Sequence, residues 1–110
     1  MNRKIRPGLP VRGSTTGRPL MAALDLLGQR WTLRVVWELR AEPVGFRELA
    51  GRCDDVSTAV LRDRLLELLD AGVVQQDDDR RYLLTTLGRD LVAALVPLDG
   101  WAKRWARTLR

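Results

Sequence analysis

The sequence reads as a mainly α-helical domain carrying one small β-hairpin. Apolar residues return at helical spacing through most of residues 19–110, Gly and Pro stand between the segments so marked, and only Val73–Val74 and Tyr82–Leu84 are short β-prone runs. With 110 residues, 45% hydrophobic and 30% charged, the chain is one domain with one core, away from the compositions that stay disordered.

Pro19 suits the first turn of a helix, where its missing N–H costs nothing. Leu20, Ala23, Leu24 and Leu27 then repeat at i, i+3, i+4 and i+7 until Gly28, which predicts a first helix over 19–27. Trp31, Val35, Val36 and Leu39 predict a second at about 31–40, and Pro43 disfavours its continuation. Phe46, Leu49 and Ala50 mark a short third helix over about 46–52. Ser57 is a good N-cap for a fourth, 57–71, whose Val60, Leu61, Leu65, Leu68 and Leu69 form a stripe that stops at Gly72. Two helices joined this closely are a helix-turn-helix. The β-prone runs follow at once through a turn-rich tip at Asp77–Asp78–Asp79, and a hairpin in that place is a wing.

From Leu87 a last helix sets Leu87, Leu91, Leu95, Leu98, Trp101, Trp105 and Leu109 on one stripe, with gaps of 4, 4, 3, 3, 4 and 4. Pro97 removes the hydrogen bond to the Ala93 carbonyl and should bend this helix. The stripe is more than a small body can cover, and tryptophan favours interfaces, so it is expected to meet a second copy of the chain. The competing expectation folds it back onto Trp31 and Trp37.

The net charge of +5 resides in residues 1–18, which hold Arg3, Lys4, Arg6, Arg12 and Arg18 and no acid; residues 19–110 balance 14 basic against 14 acidic groups. With Pro7, Pro10, three glycines and Ser14–Thr15–Thr16, this segment is expected to be a flexible basic arm, either following phosphates or ending in solvent. The longest apolar run, Leu91–Val96, has six residues against the roughly 20 a bilayer crossing needs, so no membrane span is expected. One cysteine, Cys53, and no histidine exclude an internal disulfide and a Cys/His zinc site, and no secretion signal is read, which points to the cytoplasm. Asp77–Asp78–Asp79 lacks the spaced ligands of a calcium loop, so no metal or other cofactor is expected. Catalysis is not expected either: the usual general base is missing, as are a Gly-rich phosphate loop and a nucleophile elbow.

Several motifs in order carry a resemblance: Gly28–Gln29–Arg30–Trp31–Thr32, Phe46–Arg47–Glu48–Leu49, Val56–Ser57, Val60–Leu61, Arg64–Leu65, Glu67–Leu68, Ala71–Gly72–Val73–Val74 and Tyr82 to Gly88. Together they resemble the HxlR-type winged helix-turn-helix transcriptional regulators, relatives of the MarR group, from about Arg18 to Ala106. The resemblance implies a cytoplasmic homodimer on operator DNA, with the first and last helices making the dimer contact. Leu20 and Leu24 then join Leu91, Leu95, Leu98, Trp101 and Trp105 in the expected interface. Against that family's habit, the chain has Ala59 and Leu66 where basic residues are common on the fourth helix, and Arg18 where a cysteine is common. Cys53 is expected to be a small half-buried filler, so no thiol switch is carried over.

Opposite its apolar stripe the fourth helix presents Thr58, Ala59, Arg62, Asp63 and Leu66. Arg62 can donate twice to guanine, Asp63 can accept from cytosine, and the Thr58 methyl or Ala59 can touch a thymine methyl, so Thr58, Ala59, Arg62 and Asp63 are the expected base readers. Ser57, Arg47, Arg64, Arg80 and Arg81 are expected at phosphates, with Arg3, Lys4 and Arg6 of the arm. For Arg62 the competing role is an ion pair on its own helix; for Arg64 it is pairing with Glu67. The expected function is a repressing regulator, a homodimer on palindromic double-stranded DNA, whose small-molecule effector would sit near the dimer helices among Trp31, Trp37, Trp101 and Trp105. Ala59 and Leu66 leave one alternative open, a winged-helix interaction module or antirepressor without DNA binding.

Overall fold

The structure, a computed structural model, describes residues 5–109. Its order is α1 (Pro19–Leu27), α2 (Thr32–Glu38), α3 (Phe46–Arg52), α4 (Thr58–Asp70), β1 (Val74–Gln76), β2 (Tyr82–Leu84) and α5 (Thr86–Thr108). The fold is the expected one, mainly helical with a small antiparallel hairpin as wing. The buried faces of α2 and α4 meet in a core of Val35, Val36, Leu39, Leu61, Leu65 and Leu68, closed by Leu49 and Cys53 of the helix-turn-helix and by Val44, Val74 and Leu84 at the wing root. Burial raises the Cys53 thiol above its ordinary range, as befits a filler. No helix among the described residues is long and apolar enough to cross a membrane.

Local signals account for most boundaries. Pro19 opens α1, and the Gly28 N–H closes it on the Leu24 carbonyl at 2.8 Å. α2 is shorter than the periodicity suggests because Trp31, expected inside it, takes a left-handed backbone (φ 74°) and stands before it as N-cap. Ser57 caps α4 by accepting from the Val60 N–H. At the other end Gly72 (φ 78°) donates to Leu69 and Val73 donates to Leu68, the paired bonds of a Schellman ending. That use of Val73 explains why β1 starts one residue later than the β-prone run. α5 continues unbroken through Pro97.

The turn between α3 and α4 carries two consecutive left-handed residues, Asp54 (φ 55°) and Asp55 (φ 57°). Asp54 is held there by Arg34, whose Nη1 lies 3.2 Å from its carboxylate. Asp55 turns the chain so that its N–H reaches the Ala50 carbonyl at 2.9 Å. A left-handed backbone costs an L-residue about 1–2 kcal/mol, and a β-branched one suffers most. Asp55→Val is therefore expected to lower stability by about 1–2 kcal/mol, whereas Asp55→Gly should match or exceed the parent. Urea unfolding of the two variants checks this; equal losses would contradict it.

β1 and β2 pair with Val74 opposite Leu84, Gln75 opposite Leu83 and Gln76 opposite Tyr82. Val44, in the loop before α3, adds a bridge that the sequence did not announce: it exchanges both backbone hydrogen bonds with Tyr82, at 2.8 and 2.9 Å. Thr85 joins the wing to α5. Its hydroxyl accepts from the Gly88 N–H at 3.0 Å and donates to the Gly72 carbonyl at 2.6 Å.

Residues 5–18, expected as a flexible arm, lie folded against the body. Ile5 is buried, and the Arg6 guanidinium donates to the Asp70 carboxylate at 2.8 and 3.4 Å and to its carbonyl at 3.2 Å. The Arg12 N–H donates to the carboxylate of Asp25, which is buried in α1. The Gly8 N–H donates to the Gly17 carbonyl at 2.9 Å, and Gly17 (φ 70°) lies so close to Leu9 that a Cβ would meet the Leu9 carbonyl at 2.1 Å. Acid–base partners so distant in sequence are not visible in composition, so composition alone predicts a free arm here. Arg3 and Lys4 lie outside the described residues.

Candidate nucleic-acid interface

The outer side of α4 carries Thr58, Ala59 and Arg62, all exposed, with Asp63 half-buried and Leu66 50% exposed. The Arg62 guanidinium stands 6.0 Å from the centre of the Phe46 ring, the first residue of α3, so one helix of the motif steadies the long side chain of the other. Ion pairing on its own helix, the competing role, is not what the geometry gives Arg62. The Ser57 hydroxyl spends a lone pair on the Val60 N–H and keeps its proton for donation. Arg47 is exposed in the first turn of α3.

Three of the arginines expected at phosphates are turned to internal work. Arg64 is only 16% exposed in its side chain; its Nη2 lies 3.1 Å from Glu67 and its Nη1 donates to the Arg30 carbonyl at 3.5 Å. It ties α4 to the segment before α2 instead of facing outward, because it flanks the buried stripe. Arg81 is paired with Asp77 at 2.9 Å and Asp79 at 3.6 Å. Hydrogen bonds from the Arg81 backbone first, and its guanidinium after, hold the Asp77 carboxyl below the usual range, so this part of the acidic tip is internally neutralised. Arg6 is bound to Asp70 as described. Arg80, at the tip with a left-handed backbone (φ 61°), remains exposed.

A short helix, an exposed longer helix after it and a two-stranded wing beside them form a winged helix-turn-helix. Residues 26–109 match the model of the HxlR-like helix-turn-helix family. The chain belongs to that family. Among its relatives is the Bacillus subtilis protein described as the uncharacterized HTH-type transcriptional regulator YvaP, 33% identical over 76% of this chain and 82% of its own length. A Mycobacterium tuberculosis relative, Rv3095, is 35% identical over 84% of this chain, which spans 60% of that longer protein. Among solved structures, quinone-bound YodB from B. subtilis superposes with a TM-score of 0.72 at 31% identity, covering 78% of this chain and 97% of YodB. A possible HxlR family transcriptional factor from Thermoplasma volcanium gives 0.70 at 25% identity, over 81% and 85% of the two chains. Membership carries the coarse function: this HxlR-like chain is a DNA-binding regulator of transcription, and not an enzyme.

The HxlR-like body leaves large apolar side chains bare on α1 and on α5. Leu20 and Leu24 of α1 and Leu98, Trp101 and Trp105 of α5 are each at least half exposed. The two indoles stack, with centroids 5.6 Å apart and planes 11° from parallel. Leu91 and Leu95 of the same stripe are half-buried against the chain's own core, so they offer a partner only their outer edges. The four tryptophans have different settings among the described residues. Trp37 lines a groove of about 360 Å³ between α2 and α5 with Leu33, Leu95 and Leu98, Trp31 packs against the core, and Trp101 and Trp105 face outward.

Proposed function

We propose that the chain acts as a homodimer that occupies a palindromic operator and represses transcription by excluding other proteins from it. The observation that carries this reading is the coexistence of two unpartnered surfaces. One is the outer side of α4, with Arg62 braced on Phe46; the other is the apolar side of α1 and α5. Pairing through the second sets two copies of the first about one turn of duplex apart, 34–36 Å. Thr58, Ala59, Arg62 and Asp63 are then the base-reading group, and Ser57, Arg47 and Arg80 the phosphate contacts. A planar apolar effector in the groove at Trp37, beside α5, would act by changing the tilt between the two subunits, and the quinone held by YodB is of that general shape.

Selection of bound sequences from random duplexes tests the reading. The expected result is a two-fold symmetric site with half-sites one turn apart. Arg62→Ala should cost about 1–3 kcal/mol and relax one guanine in each half-site. If no sequence is enriched, the proposal is lost. The pairing of Arg6, Arg64 and Arg81 within the body favours one other reading, an interaction module without DNA binding. Absence of any gel retardation at low salt would support it.

A further inference from the structure

We propose that Leu66 is a specificity residue that recognises the 5-methyl group of a thymine in each half-site. The inference rests on α4 being the reading helix and goes beyond that by naming a base and the atom recognised.

Of the leucines of α4, Leu61, Leu65 and Leu68 are buried and Leu69 is half-buried, but Leu66 stands 50% exposed. It follows Arg62 by four residues, so it lies on the same side of the helix about 6 Å further along the axis. Along a duplex that advance is about two base steps, at roughly 3.4 Å each. A guanidinium braced on Phe46 thus sits beside a branched hydrocarbon on one continuous strip.

The chemistry of the groove narrows what such a side chain can recognise. Leucine has no donor or acceptor. Guanine, adenine and cytosine present polar edges there, whereas thymine also presents a methyl group. Against cytosine, leucine would cover an amino donor without replacing its water. Ala59 occupies the preceding turn of the strip, but its single methyl reaches less far. A thymine is therefore expected about two base pairs from the guanine read by Arg62.

The test uses the full chain and the best duplex from the selection. Each half-site thymine is replaced in turn by deoxyuridine, which keeps the base pair and removes only the methyl. Replacement in one half-site should weaken binding about fourfold, and in both half-sites about fifteenfold, the loss for one buried methyl group each time. In Leu66→Ala that penalty should vanish, with the variant binding the thymine duplex about as weakly as the parent binds the uracil one. Restoring the methyl as 5-methylcytosine in a C·G variant should recover part of the loss for the parent only. Since Leu66 is half exposed, thermal melting should show the variant folded like the parent. A uracil penalty unchanged in Leu66→Ala, or no penalty at any thymine, overturns the inference while leaving the operator reading standing. Failure to select any sequence overturns both.

Discussion

Replacing Trp101 and Trp105 together by serine is expected to yield a folded monomer that no longer holds operator DNA at concentrations where the parent does. The two indoles are 50% and 52% exposed and stacked on each other, outside the core. Their removal should therefore leave the fold intact. A tryptophan side chain buries 150–250 Å², so a half-exposed one has on the order of 100 Å² left to cover, about 2–3 kcal/mol. Four of them in a two-fold pair sum to about 10 kcal/mol before the costs of association, enough to decide between dimer and monomer. Sedimentation velocity gives the oligomeric state and circular dichroism the fold. A doubly substituted chain that still sediments as a dimer would rule this surface out as the contact. Loss of DNA binding should accompany loss of the dimer, because a single reading helix cannot span a two-fold site.

Gly88→Ala should be strongly destabilising. Gly88 is buried in the first turn of α5, where a Cβ would meet the Val73 carbonyl oxygen at 2.2 Å and the Leu84 Cβ at 3.1 Å. The carbonyl cannot retreat easily, since it accepts from the Thr85 N–H at 3.0 Å and lies just after the Schellman ending of α4. Relief would require α5 to lift from the wing, and overpacking of this kind costs about 3 kcal/mol or more. Gly100, in the same helix, supplies the opposite case: a methyl added there would lie 3.6 Å from the end of the Arg104 side chain, an ordinary contact. Gly100→Ala should raise stability by up to about 1 kcal/mol through helix propensity alone. Urea midpoints for the two variants should move in opposite directions; a Gly88→Ala protein as stable as the parent would contradict the packing described.

How much of this was legible in the sequence follows from the range over which each cause acts. Periodicity and caps are local, so α1, α3, α4 and β2 fall within a residue of expectation. Trp31 shows the limit of periodicity: its apolar character fits the stripe of α2, but its backbone conformation depends on the turn it makes after Gly28. The bridge of Val44 to Tyr82 and the pairs Arg6–Asp70 and Arg12–Asp25 join distant stretches, and nothing in either stretch names its partner. The same applies at the candidate interface. Helical spacing puts Thr58, Ala59 and Arg62 outward, as the structure has them, but a count of arginines does not tell which are already satisfied at home. Arg64 and Arg81 carry the charge a phosphate contact needs and use it within the body.

The Thr85 hydroxyl grips the last carbonyl-bearing turn beyond α4 with its proton and the first turn of α5 with its lone pair. One oxygen atom is thus a rivet between the part of the molecule that would touch the duplex and the part that would touch its twin. With the two so closely tied, a rotation between paired copies of α5 would, on the proposed dimer, swing the α4 surfaces with it. Under the proposed pairing, a change of angle at the seam would carry straight through to the spacing of the two α4 helices, with no lever arm between.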